Sequence, residues 1–184
     1  MRSLIAVILL LCVMYACSRA PELKPNRTVD QYLSHLANTP ATTEQDVEYI
    51  FGTIFTDFKQ GATEQNIRAV YADDIYFNDT FKIIHNIDDL VHYMSESANN
   101  VESTTVEILD VIHANHDYFV RWVMDIRVTI QGRDVHSRSI GMTQLRFNEA
   151  GQVVFHQDFW DSSEAFYEHL PFLGRFVKKV KTML

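Results

Sequence analysis

Residues 101–161 hold four runs in which apolar and polar side chains alternate, parted by turn-forming groups and with no helical spacing between them. Alternation with a period of two is the signature of a strand with one buried face. Short links between such runs restrict the chain to antiparallel neighbours, because a parallel return needs a crossover of a dozen or more residues. The runs cover residues 104–113, 118–130, 135–147 and 151–161, with turns at Ala114-Asn115-His116-Asp117, at Gln131-Gly132 and over 148–151. They predict an antiparallel meander. The last run, GQVVFHQDFWD, places Val154, His156, Asp158 and Trp160 on one face and Val153, Phe155, Gln157 and Phe159 on the other. An imidazole, a carboxylate and an indole on one face suit the lining of a pocket.

The chain ahead of the meander has helical spacing. Thr42 or Thr43 can cap a helix in which Val47, Ile50, Phe51, Ile54, Phe55 and Phe58 form one apolar stripe, stopped by Gly61. Thr63 opens a short second helix through Ile67, Val70 and Tyr71, which puts Asp73 and Asp74 at a solvated helix end. Residues 75–81 read as a strand with Ile75, Phe77 and Asp79 on one face, and Asp88 as the cap of a third helix carrying Leu90, Val91 and Met94. Helices first and strands after predict an α+β domain over residues 42–163, its helices covering one side of a curved antiparallel sheet.

Both ends lie outside that domain. Arg2 followed by the apolar run of residues 4–17 reads as a signal peptide over residues 1–16, too short for a comfortable membrane span. Met14-Tyr15-Ala16-Cys17 resembles a bacterial lipobox, which implies lipid on Cys17 and, with Ser18 after it, an outer-membrane lipoprotein facing the periplasm. Cleavage after Ala20 is the alternative, disfavoured by Pro21. Residues 17–41 hold three of the four prolines and read as a tether with one helical turn near 29–36. Residues 164–184 form a C-terminal extension whose end sets Phe172, Phe176, Val177 and Val180 against Arg175, Lys178, Lys179 and Lys181. Such a helix could rest on an anionic membrane; packing of its apolar face on the domain is the favoured expectation. A formal charge of −8 and the lack of a basic stripe on the domain argue against a nucleic-acid partner.

Two stretches resemble a known family. Val70-Tyr71-Ala72-Asp73-Asp74-Ile75-Tyr76-Phe77-Asn78-Asp79 is similar to the YADD-x4-D signature of ketosteroid isomerase and its SnoaL-like relatives, in the nuclear transport factor two-like superfamily. Arg146-Phe147-Asn148-Glu149-Ala150-Gly151-Gln152-Val153, leading to Phe159-Trp160, resembles the RF-x-E-x-G and closing strand of the same group. The resemblance implies a cone-shaped α+β barrel with a small-molecule pocket, and a strand aspartate acting as base at Asp79. It also implies oxyanion donors at positions occupied here by Phe55 and Thr143, of which the first cannot donate, so steroid isomerisation is not expected. In the limonene epoxide hydrolase branch Asp158 matches an acidic site residue, while the Arg-x-Asp pair is replaced by Trp122 and Met124.

The remaining constellation is Asp79, His156 and Asp158 as candidate catalytic groups, with Phe77, Trp122, Met124, Thr143 and Trp160 as candidate ligand-binding walls. Carboxylates beside an imidazole in an apolar cavity have the tunable proton affinities that acid/base work needs. The expected function is binding, and acid/base transformation, of a small apolar organic molecule. The alternative is a non-catalytic module whose sheet face forms a homodimer or docks a partner, with His156 and Asp158 satisfying each other in a closed core. No cofactor is expected. No metal is expected either: His156, Asp158 and His136 are a sparse set, and His113 and His116 fall in a turn.

Overall fold

A computed structural model describes residues 27–38 and 46–183. The chain divides into one compact unit ending at Ala37 and a second from Asn38 onward. The signal segment, Cys17 and the Thr42 and Thr43 caps lie outside the described residues. In the first unit, α1 (Arg27–Asn38) is a helix of 12 residues where the sequence suggested a single turn. In the sequence, Pro25 and Pro40 flank this segment.

The second unit begins with α2 (Val47–Phe55), capped by Asp46, whose side chain accepts from the Tyr49 amide at 3.2 Å. The expected single helix to Gly61 is broken in two. The Thr56 carbonyl accepts from the Val106 amide at 3.3 Å and Asp57 bridges Thr105, so this backbone is diverted to cover the edge of the sheet. Asp57 then caps the one-turn α3 (Phe58–Gly61), and Thr63 caps α4 (Glu64–Val70) as expected. Tyr71 belongs to β1 (Tyr71–Asn78), not to the helix, and Asp73 and Asp74 are exposed strand residues. After β2 (Ile83–Asn86), α5 (Ile87–Asn100) is capped by Asn86, which accepts from the Asp89 amide at 2.9 Å. Asp88 instead pairs with Arg68.

The meander forms as expected: β3 (Ser103–Ala114), β4 (Asp117–Ile130), β5 (Arg133–Phe147) and β6 (Val153–Trp160) are successive antiparallel neighbours. One pairing departs from the antiparallel expectation. The sheet has six strands in the order β2-β1-β6-β5-β4-β3, with β1 and β6 parallel. The reason is topological: α5 carries the chain from β2 to the far edge, and the meander walks back until its last strand meets β1. This crossover sets Phe77 opposite His156.

The α2, α4 and α5 helices bury Phe51, Ile54, Ile67, Leu90 and Met94 against Val120, Trp122, Leu145 and Phe147 of the sheet. Val153 lies in this core too, against strict alternation, because the ladder is bulged where Phe147 meets Val153 and Arg146 meets Phe155. Beyond the bulge the predicted faces hold: Phe155 stacks on Tyr76, with ring centroids 4.9 Å apart, and Gln157 bonds Asn78 on the opposite side from His156. Arg146 of the RF stretch pairs with Asp117, clamping the start of β4 to the end of β5.

The tail contains α6 (Ser162–Ala165), a 3-10 turn (Tyr167–His169) and α7 (Leu173–Lys181). The expected packing of its apolar face on the domain is not what forms: Phe172, Phe176 and Val180 are exposed.

Candidate functional site

Three strands build the centre of the site. Thr143 and Asp158 are direct neighbours across β5 and β6, while β4 lies alongside, with Val120 opposite Thr143 and Trp122 opposite Gly141. Trp122 Nε1 donates to Thr143 Oγ1 at 2.9 Å, and Thr143 Oγ1 donates to Asp158 Oδ1 at 2.5 Å. His156 Nε2 is 3.0 Å from the same oxygen, and His156 Nδ1 is 2.9 Å from the Tyr71 hydroxyl. Burial, with the Asp158 charge behind it, holds the Tyr71 phenol well above its usual pKa, so it keeps its proton. A carboxylate oxygen can only accept, so the ring donates from Nε2 to Asp158, and in the neutral imidazole Nδ1 is then the acceptor of the Tyr71 hydroxyl. All the protons in the chain Tyr71–His156–Asp158–Thr143–Trp122 point toward one carboxylate oxygen.

The other oxygen, Asp158 Oδ2, accepts no hydrogen bond from the described residues. Its side chain is 14% exposed, whereas that of His156 is 1% exposed. His156 is enclosed by Phe55, Tyr71 and Phe77, with the Phe77 ring centroid at 4.6 Å. It can hold Asp158 but has no open face toward a ligand. The sequence joined His156 and Asp158 as equals; their surroundings give them different work.

Asp79 stands just past the end of β1. Its Oδ1 accepts from the Phe81 and Lys82 amides at 2.9 and 2.8 Å, and its Oδ2 accepts a close hydrogen bond from Tyr93 of α5. Burial raises the Asp79 pKa, and the Asp158 charge adds to it, against the lowering effect of Tyr93 and the two amides. Tyr93 is raised as well, chiefly by burial and then by Asp79. Trp160 Nε1 donates to the Asp79 carbonyl at 3.0 Å, and Phe81 packs edge-on against Trp160 at 5.3 Å. Met124 borders the core from β4. Thus Thr143 and His156 hold Asp158, with Trp122 behind Thr143 and Phe77 against His156, while Trp160 and Tyr93 gather at Asp79.

The sequence reading missed Tyr71 and Tyr93. Tyr93 was accessible to it, since Leu90, Tyr93, Met94 and Ser97 follow helical spacing. Tyr71 was assigned to a helix, and only its passage into β1 turns it toward His156. Among the described residues no group of three His, Cys, Asp or Glu could hold a metal ion. His136 pairs with Asp125 at 2.8 Å on an exposed part of the sheet.

The raised Asp79 pKa has a definite sign for stability. A carboxyl whose folded pKa exceeds its unfolded one contributes stability below the unfolded value and loses it as pH rises through the folded value. Asp79→Asn keeps the shape without the charge. The melting temperature of wild type relative to Asp79→Asn should therefore fall as pH rises above the ordinary aspartate value of about 3.9; a gap independent of pH would contradict burial as the dominant influence.

Three or more helices on a curved mixed sheet, with polar groups gathered where β1 and β6 run in parallel, define the cone-shaped α+β fold of the nuclear transport factor two-like superfamily. Residues 53–156 match the profile of the SnoaL-like domain, and the chain belongs to that family. Among solved structures, a protein of ketosteroid isomerase-like fold from Catenulispora acidiphila, in complex with trimethylamine, is 14% identical. It covers 67% of this chain and 91% of its own, with a TM-score of 0.55. A proposed SnoaL-like polyketide cyclase from Shewanella denitrificans is 13% identical, covering 65% and 94%, with a TM-score of 0.54. An LEH-like epoxide hydrolase from Mycobacterium tuberculosis is 11% identical, covering 74% and 95%, with a TM-score of 0.53. At these identities the likeness is one of fold. No curated protein sequence matches the chain.

Proposed function

We propose that the domain binds a small, mainly apolar organic molecule bearing a hydrogen-bond donor or an acidic C–H, and that Asp158 accepts its proton. The observation that carries this reading is the division of labour on Asp158: Oδ1 is held by Thr143 and His156, and Oδ2 is left open. A base must be fixed in place and must keep a lone pair for the substrate. His156, Thr143 and Trp122 act as positioning residues. Asp79, with its pKa raised, is suited to the complementary role of proton donor or hydrogen-bond donor. The names of the polyketide cyclase and the epoxide hydrolase of this fold lend support to a small organic ligand. 2-Naphthol offers one hydroxyl donor on an apolar frame and is a direct probe. Asp158→Asn should weaken its binding roughly tenfold by removing a charge-assisted hydrogen bond, while naphthalene binding stays unchanged. Equal affinity for 2-naphthol in both proteins would sink the assignment.

A second reading, an interaction module, is favoured by the outward side of the meander. There Ile112 and Ile140 are 49% and 61% exposed, and Ile140 pairs with Val123 across the ladder. An apolar sheet face of this kind would suit a homodimer. Ile140→Lys should then convert a dimer to a monomer in sedimentation equilibrium; a wild type that is already monomeric removes this reading.

A further inference from the structure

We infer that the C-terminal segment beginning at Phe172 is a docking surface for an anionic lipid bilayer. From the residue just before α7 onward, Phe172, Phe176 and Val180 recur every four residues and are 80%, 66% and 40% exposed, with Leu173 and Met183 also exposed beside them. Four cations, Arg175, Lys178, Lys179 and Lys181, share the segment and no acidic residue does, in a chain whose formal charge is −8. The apolar row and the cations fall on separate arcs of the helix, the arrangement of helices that lie in the membrane interface.

The helix is held by its other flank. Gly174 is buried against the 3-10 turn so closely that a Cβ there would lie 2.1 Å from the Glu168 carbonyl oxygen. Lys181 Nζ donates to Glu168 Oε1 at 2.7 Å. That seating is small, and it fixes the helix with its large apolar side chains outward. Phe172 is itself held at a φ of 63°, in the left-handed region, at the point where the chain turns into α7. The same tail reaches the candidate site's surroundings through Phe166, whose ring lies 4.9 Å from that of Phe81.

The charge of the segment fits a bilayer, and its length sets how it would lie there. Nine residues of helix extend about 14 Å, far short of a span of about 30 Å, so the helix would lie along a surface. No described helix is long and apolar enough to cross a membrane. Arg175, Lys178 and Lys179 meet anionic headgroups at the same depth at which Phe172 and Phe176 enter the acyl boundary, each adding to the attraction, while Lys181 is taken by Glu168.

The test uses the chain from Ser18 onward, without the expected signal segment and lipid site, in flotation with vesicles of phosphatidylcholine alone or with about 30% phosphatidylglycerol added. Binding should be roughly tenfold stronger to the anionic vesicles and should weaken with salt. Lys178→Gln with Lys179→Gln, and separately Phe172→Ser with Phe176→Ser, should each bring it near the level of neutral vesicles, with circular dichroism unchanged. Equal binding to both vesicle types overturns the proposal, as does anionic binding that survives both pairs of substitutions. Loss of a self-associated species in vesicle-free solution on the Phe172→Ser, Phe176→Ser change, with vesicle binding intact, would assign the face to a second copy instead.

Discussion

Gly141→Ala should lower stability by about 3 kcal/mol and weaken 2-naphthol binding with it. Gly141 lies between Trp122 on β4 and Trp160 on β6 in the sheet register. A Cβ at that position would sit 2.3 Å from the six-membered ring of Trp122, well inside van der Waals contact. The ring cannot yield easily, because it is 1% exposed and its Nε1 is bonded to Thr143. Either the strands part or the indole swings away, and the second course releases Thr143 from its place on Asp158. Urea unfolding should show the loss, and the affinity for 2-naphthol should show its consequence for the site. Gly132→Ala is the contrast. Gly132 has a φ of 75° and nothing within 4 Å of a built Cβ, so its replacement should cost about 1 kcal/mol of backbone strain and leave binding unchanged. Similar losses at the two glycines would refute the role given to the Trp122 contact.

His156→Leu should cost about 4 kcal/mol, the largest effect of a single change in the hydrogen-bonded chain. The residue is completely buried, and it joins the Tyr71 hydroxyl to Asp158. Leucine fills the space but leaves the phenol with no acceptor and Asp158 with one donor fewer. Unmet hydrogen bonds of buried groups cost about 1–3 kcal/mol each, which is why this loss exceeds that of Tyr71→Phe, expected near 1 kcal/mol. Once His156 is leucine, however, the Tyr71 hydroxyl is a liability, so adding Tyr71→Phe should recover part of the loss. A double-mutant cycle by urea denaturation measures that coupling. Strict additivity of the two changes would mean that Tyr71 and His156 do not act as one unit. The single change should also weaken 2-naphthol binding, since the carboxylate would no longer be held on both sides.

The two effects concern the same carboxylate from different directions, and they mark how far the sequence could be read. Strong local periodicity made the meander legible, and its turn residues fixed three of its links. The Thr63 cap and the inward set His156, Asp158 and Trp160 were likewise local facts. Errors came where distant backbone overrode local pattern. The stripe from Val47 to Phe58 reads as one helix, but the backbone at Thr56 and Asp57 pairs with β3 and breaks it. Val153 breaks the alternation of β6 because a bulge opposite it shifts one residue. The tail's apolar row was expected to be buried, yet only the flank at Gly174 is seated.

For the site, the sequence by itself determined which acids and rings were available: Asp79, His156, Asp158, Trp122, Thr143 and Trp160, placed on strands by their period. Only the tertiary structure decided how they are joined. The crossover through α5 and the return of the meander make β1 and β6 parallel neighbours, and that pairing brings Tyr71 to His156 and the Asp79 turn to Trp160. A hydrogen bond spanning 85 positions of the chain leaves no periodic trace in either segment. Period records which face a residue takes; the partner on that face depends on strand order, which is a property of the whole sheet.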